Sequence, residues 1–572
     1  MIKSKKNLQN KPVYSTELFF DESILKLDAN ENIYGASPRV LKALRELDYN
    51  RVNFYPCYGE FLAELSRAHG LNEEFFLPTN GADEAISVIF NTYLEKGDSV
   101  ISFSPTFVMP KIYAELCECD FSTVEYDEKW KFDVEKLIKC VGENTKIIHL
   151  TSPNSPTGEV ISLKCVEKIL KTFSDKPVLL DNVYINFSEN LPDYTSLIKK
   201  YDNLFIVKSF SKDFALAGLR LGYVMTSPQN VQEMKKVISP YSVNNVALLA
   251  GVEALRDKKH FKKVKKEVLE NKAKLRAELE KMGFKPYKSE TNFVLCDFGA
   301  KADFIFNKLA KQKISVKRFH GGTLDNHFRI TVPDKTGLKK FLSALKTRDL
   351  LVFDLDGVVF DVRNSYRKAI EKTFEHFAKK SLAKGEIQEA KNQGGLNCDW
   401  DLTKYLLEKN GVEAKMPEII DVFQSYFFKK QGNSMGLIDE EKIVLKDDTL
   451  KKLAQKCDLC VFTGRPKAEA FYSLEKYDIL KYFNLVIAKE DLPDDRQKPC
   501  PDGLNLLKEK CLHNKIYYFG DTSDDMKCAK SANAIAIGVL PPQDKSAALV
   551  QKMKDHGASK ILKDVNKAKD IL

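Results

Sequence analysis

Short apolar runs that end in polar residues recur along most of this 572-residue chain and alternate with longer amphipathic segments. The first half contains SVISFSP, TKIIHLTSP, PVLLDNVY and NLFIVKSFS. Runs of this length are typical of buried strands in a mainly parallel sheet, and the amphipathic segments are typical of helices that cover it. Because ligands of such sheets bind beyond the carboxyl ends of the strands, we expect the polar ends to converge. The pattern predicts an α/β fold.

The length predicts more than one core. The sequence pattern changes near residue 251, where a long charged helix is expected from about Lys258 to Met282. It changes again at DLLVFDLDG, where a new strand begins without a Gly-, Pro- or Ser-rich spacer. The predicted domains are an N-terminal arm 1–45, a large domain 46–250, a small α+β domain 251–347 and a last domain 348–572, interrupted by a helical stretch at about 361–450.

Composition excludes several classes of protein. The net charge of +10 comes from 90 basic and 80 acidic residues, and the lysines are spread along the chain, which indicates a solvated surface rather than a nucleic-acid-binding arm. We find no apolar run that could span a membrane and no secretory signal, so we expect a cytoplasmic protein. Cys457 and Cys460 have CxxC spacing but lie in an apolar run, which favours a buried strand over a redox or metal site.

The segment KSFSKDFALAGLRLGY carries the first set of reactive residues. Lys212 follows an apolar strand, which suits an amine that binds pyridoxal phosphate covalently. Ser209 and Ser211 flank it and Arg220 follows, so hydroxyls and a guanidinium could bind the cofactor phosphate.

This segment resembles the fold-type-I pyridoxal-phosphate aminotransferases, in particular the histidinol-phosphate aminotransferase branch, over about residues 15–347. The resemblance implies a large α/β and a small α+β domain, glutamate with 2-oxoglutarate as the amino donor pair, and a homodimer. It implies that Lys212 forms the Schiff base and carries the proton. The other implied site residues are Asp181 at the pyridine nitrogen, Tyr184 at the phenolic oxygen, Phe107 stacked on the ring, Gly81, Ala82 and Asp83 at the phosphate, Tyr55 at the partner subunit's phosphate, and Arg329 on a substrate anion.

Three positions depart from the usual pattern of that branch. Ser155 stands in Pro153–Gly158 where an Asn normally donates to the phenolic oxygen, and a hydroxyl is a shorter donor. Asn182 follows Asp181 where a Glu is usual. In the small domain Lys317 precedes Arg318 where an Arg is expected, and Lys317 cannot bind phosphate in a bidentate fork, whereas Arg318 can.

A second set of reactive residues begins in LLVFDLDGVVF. Asp354 and Asp356 lie two residues apart at a strand end, which suits a nucleophile that attacks phosphorus and an acid that protonates the leaving oxygen. Thr463 in VFTGRP suits binding of the transferred phosphoryl group, and Lys498 in QKPCPD suits neutralisation of its charge. The acidic side chains form a candidate Mg²⁺ site of Asp354, Asp356, Asp521 and Asp525.

These motifs, in this order, resemble the haloacid dehalogenase superfamily, in its phosphoglycolate-phosphatase-like branch, over about residues 348–572. The resemblance implies a Rossmann-like domain whose stretch 361–450 is a helical cap that selects the substrate. Candidate specificity residues in the cap are Asn397, Asp399, Trp400 and Asp401. The alternative is that Trp400 anchors the cap and the acids face solvent.

Together the two sets predict a bifunctional enzyme that transaminates a small phosphorylated substrate and hydrolyses a phosphomonoester. The resemblance favours imidazole-acetol phosphate and histidinol phosphate, since dephosphorylation follows transamination in histidine biosynthesis. Two alternatives stay open. The substrate is another small phosphorylated compound, such as serinol phosphate or phosphoserine, which is transaminated or decarboxylated to an amino alcohol. Otherwise, one half serves only as a regulatory module.

Overall fold

The computed structural model describes residues 2–9, 21, 23–48, 50–189, 192–383, 385–393, 398–428 and 436–571. The chain divides into two compact units, which are described one at a time. The first unit comprises residues 1–299 and 313–343, and the second comprises 300–312 and 344–572. Within the described residues, no helix is both long and apolar enough to cross a bilayer.

The first unit contains a seven-stranded sheet in which most neighbours are parallel. Its strands, in spatial order, are Phe76–Thr79, Gly222–Met225, Leu204–Ser209, Val178–Asp181, Thr145–Thr151, Ser99–Ser104 and Asp120–Glu125. Alternate residues face opposite sides: Val178 and Leu180 pack in one apolar cluster, and Leu179 packs in another. Burial on both faces explains the continuous apolar runs in the sequence.

A five-stranded sheet forms the second layer of this unit. Its spatial order is Leu25–Leu27, Ile314–Arg318, His327–Thr331, Phe293–Asp297 and Lys285–Pro286. The helices of the first unit are Pro38–Arg45, Asn50–Asn53, Gly59–His69, Gly81–Tyr93, Met109–Leu116, Val134–Cys140, Leu163–Thr172, Pro228–Lys235, Asn245–Arg256, Lys258–Lys281 and Lys335–Ala344. The strand Leu25–Leu27 shows that part of the predicted N-terminal arm belongs to the small sheet.

The second unit is built on a six-stranded parallel sheet. Its spatial order is Phe483–Ile487, Asp458–Phe462, Leu350–Phe353, Ile516–Gly520, Ile535–Val539 and Lys560–Leu562. The first strand along the chain, Leu350–Phe353, lies in the middle, with later strands on both sides. This is the switch point at which ligands of open α/β sheets bind. Cys460 lies buried in one of these strands, and Cys457 precedes it, as predicted.

Helices surround this sheet, and several are inserted after its first strand. The helices of the unit are Ala302–Lys311, Tyr366–Ala378, Glu386–Gln393, Asp399–Lys409, Met416–Phe427, Asp447–Lys456, Lys467–Lys476, Asp502–Lys510, Ser523–Ser531 and Ala547–Asp555. The chain leaves the sheet through the short strand Phe360–Asp361 and returns through Lys442–Ile443, and the two strands pair antiparallel. The unit also includes helix Ala302–Lys311, which differs from the predicted domain boundary at 347.

Candidate active sites

Lys212 and Asp181 lie at the ends of neighbouring strands of the seven-stranded sheet. Lys212 follows Leu204–Ser209, and Asp181 ends Val178–Asp181, which pairs with it in parallel. Burial raises the pKa of the Asp181 carboxyl to about 7, and the nearby Lys212 ammonium opposes that rise. A second cationic nitrogen placed against Asp181 would stabilise the ionised carboxylate further, and a pyridinium nitrogen provides that charge.

Two basic side chains of this site, Lys212 and Arg329, donate hydrogen bonds to main-chain oxygens of residues 28–30, which we call the 28–30 segment. Lys212 donates through Nζ to the carbonyl oxygen of Ala29 at 2.8 Å. Arg329 donates through Nη2 to the carbonyl oxygen of Asp28 at 2.6 Å. The segment follows strand Leu25–Leu27 and so ties the small sheet to the lysine. Motif reading missed this segment, because a contact made by main-chain oxygens leaves no side-chain pattern in the sequence.

Asn30 completes the segment through its side chain. Its Nδ2 donates to the Tyr184 hydroxyl at 3.0 Å, and its main-chain N–H donates to Thr331 Oγ1 at 3.0 Å. Asn30 has a φ of 54° and is 1% exposed. Asn tolerates this left-handed conformation better than most residues, which is the one local signal in the sequence. Asn30 therefore orients the hydroxyl that the resemblance places at the cofactor's phenolic oxygen.

Arg329 also contacts the residue that departs from the usual pattern. Its Nη1 donates to Ser155 Oγ at 2.9 Å. On the neighbouring strand Lys317 lies opposite Arg329, and Arg318 lies opposite Phe328. Residues paired across strands share a face of the sheet. The register therefore places Lys317 on the Arg329 face and Arg318 on the other face.

The start of helix Gly81–Tyr93 forms the candidate phosphate cradle. Free main-chain N–H groups at a helix start favour an anion, and Ala82 and Asp83 lie in this first turn. Arg220 donates through Nη2 to Asp83 Oδ2 at 2.9 Å. Gly81 has a φ of 82°, a conformation that favours glycine, and a Cβ there would lie 2.7 Å from Arg220 Nη2, so the guanidinium would have to shift. The residues present fit a phosphorylated cofactor.

The serines that flank Lys212 support this cradle from the adjoining loop. Ser209 and Ser211 are both buried, and Ser209 Oγ accepts a hydrogen bond from the main-chain N–H of Ser211 at 3.1 Å. Ser209 Oγ also lies 3.5 Å from the carbonyl oxygen of Leu221, next to Arg220. The Ser209 hydroxyl therefore holds the turn between Lys212 and Arg220.

In the second unit, Lys498 lies between two buried carboxylates. Its Nζ is 2.9 Å from Asp354 Oδ1 and 3.0 Å from Asp525 Oδ1. Burial raises the pKa of Asp354 to about 7 against the charge of Lys498. Burial also works to raise the pKa of Asp525, but Lys498 and hydrogen bonds from Thr522 and Tyr518 outweigh it, so that this pKa lies below its ordinary value. The site thus carries a fixed positive charge next to the predicted nucleophile.

Asp354, Asp521 and Asp525 bring one carboxylate oxygen each within 4.8 Å of one another. Three hard oxygen donors at strand and helix ends suit Mg²⁺. Gly357, with φ at 73°, permits this approach, because a Cβ there would overlap the Asp521 carboxylate. Thr522 and Asp525 form a capping box at the start of helix Ser523–Ser531, which fixes the Asp525 carboxylate. The residues present fit a divalent cation.

The structure places Asp356 differently from the other predicted metal ligands. Its carboxylate is not among the three grouped oxygens: Oδ1 accepts a hydrogen bond from Arg465 Nε at 2.7 Å. Thr463, at the end of a neighbouring strand, is buried and accepts from the main-chain N–H of Arg465 at 3.2 Å. Arg465, two residues after Thr463 in TGRP, was missed by motif reading.

Comparison with known proteins assigns both units to enzyme families. Residues 22–345, more than half of the chain, match the class I and II aminotransferases. The chain belongs to this family. Residues 351–539 match the haloacid dehalogenase-like hydrolases. The first unit is therefore an aminotransferase unit and the second a hydrolase unit.

Named relatives match the aminotransferase unit. Histidinol-phosphate aminotransferase 1 of Carboxydothermus hydrogenoformans is 35% identical over 353 residues, which are 59% of this chain and 99% of that protein. The crystal structure of histidinol-phosphate aminotransferase from Clostridium acetobutylicum is 24% identical with a TM-score of 0.53, over 56% of this chain and 98% of that one. The Sinorhizobium meliloti enzyme, solved with pyridoxal 5'-phosphate, is 23% identical with a TM-score of 0.52, over 56% and 89%. The structural likeness confirms the predicted fold of the aminotransferase unit.

Two predicted cofactor residues of the aminotransferase unit lie apart from the contacts described above. Tyr55 is 77% exposed, and its ring stacks on Tyr241 with centroids 4.2 Å apart. Among the described residues it is therefore a surface aromatic. Phe107 is half-buried and follows strand Ser99–Ser104, next to the switch point of the sheet. Its position suits a residue that packs against a ligand at the strand ends.

Three of the candidate specificity residues of the hydrolase unit lie in one inserted helix. Trp400 lies in helix Asp399–Lys409, and Lys489 Nζ lies 4.3 Å from the centre of its ring. Lys489 lies two residues after strand Phe483–Ile487 of the sheet, so this contact supports the role of Trp400 as an anchor. Asp399 and Asp401 lie in the first turn of that helix. Asn397 lies outside the described residues.

Proposed function

We propose that this chain is a bifunctional enzyme. Its aminotransferase unit exchanges an amino group on a small phosphorylated substrate, with glutamate and 2-oxoglutarate as the donor pair. Its hydrolase unit cleaves a phosphomonoester with Mg²⁺. One observation carries this proposal: each unit places a reactive side chain beside groups that its reaction uses. Lys212 donates to the Ala29 oxygen and lies near the Asp181 carboxyl, and Asp354 lies 2.9 Å from Lys498.

In the aminotransferase unit, pyridoxal phosphate, when bound, supplies the electron sink that stabilises negative charge at the substrate carbon. Asp181 would hold the ring nitrogen charged, and Tyr184, oriented by Asn30, would donate to the phenolic oxygen. The start of helix Gly81–Tyr93 would hold the phosphate. These residues set the orientation in which the reacting bond can break.

The remaining steps use the two basic side chains that rest on the 28–30 segment. Arg329 binds a substrate anion in exchange for part of its contact with Asp28 and Ser155. Lys212 Nζ, once released from the Ala29 oxygen, moves a proton at the substrate carbon. Substrate binding and release of the lysine are thus coupled through three consecutive residues.

In the hydrolase unit, an oxygen of Asp354 attacks phosphorus and the bond to the leaving oxygen breaks. Asp356 delivers the proton that the leaving oxygen takes up. Lys498 and Thr463 neutralise and hold the transferred phosphoryl oxygens, and Asp521 and Asp525 would hold Mg²⁺ together with Asp354. The oxygen of a water molecule then attacks phosphorus, the bond to Asp354 breaks, and inorganic phosphate leaves, which restores the Asp354 carboxylate. The inserted helices after the first strand support the phosphoglycolate-phosphatase-like branch.

Imidazole-acetol phosphate is the favoured substrate, because relatives of the aminotransferase unit are named histidinol-phosphate aminotransferases. Purified protein should convert imidazole-acetol phosphate and glutamate to histidinol phosphate and 2-oxoglutarate. Adding Mg²⁺ should then release inorganic phosphate from the product. A protein that forms no 2-oxoglutarate with this substrate contradicts the assignment.

A second candidate substrate follows from Ser155. Its hydroxyl is engaged by Arg329 at 2.9 Å, at the position where the histidinol-phosphate branch has an Asn. This difference favours another small phosphorylated compound, such as dihydroxyacetone phosphate or phosphoserine, with an amino alcohol as the final product. Offering both compounds, and measuring glutamate consumption against CO₂ release, separates transamination from decarboxylation.

We also propose that the aminotransferase unit forms a homodimer. Phe54, Tyr55 and Tyr241 are 66%, 77% and 51% exposed, and aromatic surface of this kind is typical of an interface. In the dimer Tyr55 would reach the partner subunit's cofactor phosphate. Light scattering coupled to gel filtration should give twice the chain mass, and Tyr55→Ala should weaken cofactor binding. A monomer with full transaminase activity contradicts this.

A further inference from the structure

Arg465 joins the predicted acid of the hydrolase unit to the place where the chain returns from the inserted helices. Its Nε is 2.7 Å and its Nη2 is 2.5 Å from Asp356 Oδ1. On the other side Nη1 is 3.1 Å from Glu441 Oε2, and Nη2 is 2.9 Å from Glu441 Oε1. One guanidinium thus holds two carboxylates that are 85 residues apart in the chain.

The surroundings of Arg465 fix its position. Its side chain is 1% exposed and that of Glu441 is 0% exposed. Ser473 Oγ lies 3.1 Å from Arg465 Nη1 and donates to Glu441 Oε2 at 2.8 Å. The guanidinium also lies 4.9 Å from the ring centre of Tyr366 and 5.4 Å from that of Phe360. A guanidinium held by two carboxylates and two aromatic rings has little rotational freedom.

The residues that contact Arg465 lie at both places where the chain passes between the sheet and the inserted helices. Glu441 directly precedes strand Lys442–Ile443, and Phe360 belongs to the strand that pairs with it. Ser365, which donates to Glu441 Oε1 at 3.3 Å, and Tyr366 begin the first inserted helix. Through Arg465, the orientation of Asp356 therefore depends on residues at both of these connections.

We infer that Arg465 is a positioning residue of the hydrolase site, which holds the Asp356 carboxyl in register with the inserted helices through Glu441. This inference rests on the proposed phosphatase function. Asp356 exchanges its proton with the leaving oxygen, and that exchange needs hydrogen-bonding distance. Arg465 also keeps Asp356 apart from the grouped carboxylates of Asp354, Asp521 and Asp525, so that the acid and the metal site are separate.

The inference is tested with two phosphate esters that differ in their need for a proton. p-Nitrophenyl phosphate has a leaving group that departs without one, whereas the alkyl oxygen of glycerol 2-phosphate needs one. For Arg465→Lys and Glu441→Gln, we expect kcat on glycerol 2-phosphate to fall by about 100-fold and kcat on p-nitrophenyl phosphate by less than about 5-fold. KM should change little for either ester, since the phosphoryl contacts remain.

Tyr366→Phe is the matched control, because it keeps the ring beside Arg465 and removes only the hydroxyl that donates to Glu469. It should affect both esters alike. If Arg465→Lys does not fold, Glu441→Gln, which keeps the shape of the side chain and one acceptor oxygen but removes the charge, decides the question. An equal loss on both esters, or no loss on either, overturns the positioning role. A wild-type enzyme that hydrolyses neither ester with Mg²⁺ contradicts the phosphatase function itself, and the inference with it.

Discussion

The two active sites hold their basic side chains in different ways. In the hydrolase unit, Lys498 lies within 3.0 Å of two carboxylates, so full opposite charges meet directly. In the aminotransferase unit, Lys212 and Arg329 donate to main-chain carbonyl oxygens of Ala29 and Asp28, which carry only partial charge. Buried charges paired with opposite charges form a rigid arrangement, and cations on neutral oxygens exchange more readily for anions.

This contrast indicates how each site responds to ligands. In the hydrolase site Lys498 already balances the charge of Asp354 and Asp525. A metal cation and a phosphate ester then bind among side chains whose positions are already fixed. In the aminotransferase site Lys212 and Arg329 donate hydrogen bonds to neutral oxygens. An anionic ligand can replace those oxygens as the acceptor. The first site is therefore preorganised by charge pairs and the second by exchangeable hydrogen bonds.

The largest expected effect comes from removing each reactive side chain. Lys212→Ala should lower transamination by about four orders of magnitude or more, and phosphate release should stay unchanged. Asp354→Asn should lower phosphate release by a similar factor and leave transamination unchanged. 2-Oxoglutarate formation and phosphate release, measured on the same preparations, report both activities.

Loss of one activity with the other retained would show two working sites. A substitution that changes neither activity would identify the unit that carries it as a regulatory module and would remove the contrast between two active sites. The cofactor absorbance of Asp354→Asn serves as the control for an intact aminotransferase unit in that variant.

The next effect tests the charge pairing at Lys498. Lys498→Met leaves Asp354 and Asp525 buried without their shared cation, so without divalent ions the free energy of unfolding should fall by about 3–5 kcal/mol. Mg²⁺ should restore part of this loss by replacing the missing charge. In a Trp130→Phe background Trp400 is the remaining one of the chain's two tryptophans, so its fluorescence in urea follows the hydrolase unit.

Lys567→Met is the matched control, since Lys567 forms a surface pair with Asp570 and the two side chains are 65% and 54% exposed. A change of less than about 1 kcal/mol is expected there. If the two variants lose equal stability, or if Mg²⁺ does not stabilise Lys498→Met, the hydrolase site is not held by charge pairs.

In the hydrolase unit the structure brings together three of the four carboxylates that the sequence proposed as a metal site, and the strands explain why. Asp354, Thr463 and Asp521 end or follow consecutive central strands of one sheet, so each motif shows the strand and the side chain together. Arg465 escaped notice because its partner Glu441 comes from a different part of the chain. The 28–30 segment escaped because its carbonyl oxygens are present whatever the sequence. Apolar runs predicted both sheets, but the packing of helix Ala302–Lys311 in the second unit has no local signal.

A smaller effect is expected for a charge pair far from the chemistry of the hydrolase unit. Lys308, in helix Ala302–Lys311, lies 2.6 Å from Asp458 at the start of its strand, and the side chains are 2% and 6% exposed. Lys308→Met should cost about 3 kcal/mol by leaving Asp458 buried and unpaired, and kcat should stay constant.

The double variant Lys308→Met with Asp458→Leu should recover stability, because the buried charge is then absent. Trp400 fluorescence in urea gives both values, and p-nitrophenyl phosphate hydrolysis gives kcat. A loss of kcat would show that this pair also shapes the active site. An undiminished stability would show that helix Ala302–Lys311 contributes little to the hydrolase unit.

The smallest effect tests the hydrogen-bonded side of the comparison, at Asn30. Its amide donates to the Tyr184 hydroxyl, and a hydrogen bond of this kind is worth about 1 kcal/mol. Asn30→Gly keeps the backbone freedom that a φ of 54° requires and removes only the amide, so kcat/KM for transamination should fall by about 5-fold to 10-fold. Asn30→Ala should add backbone strain and a lower stability. Tyr184→Phe in the Asn30→Gly background should then cost less than Tyr184→Phe alone, because the two residues act on the same cofactor oxygen. Independent effects would show that Asn30 holds the 28–30 segment in place without orienting the tyrosine.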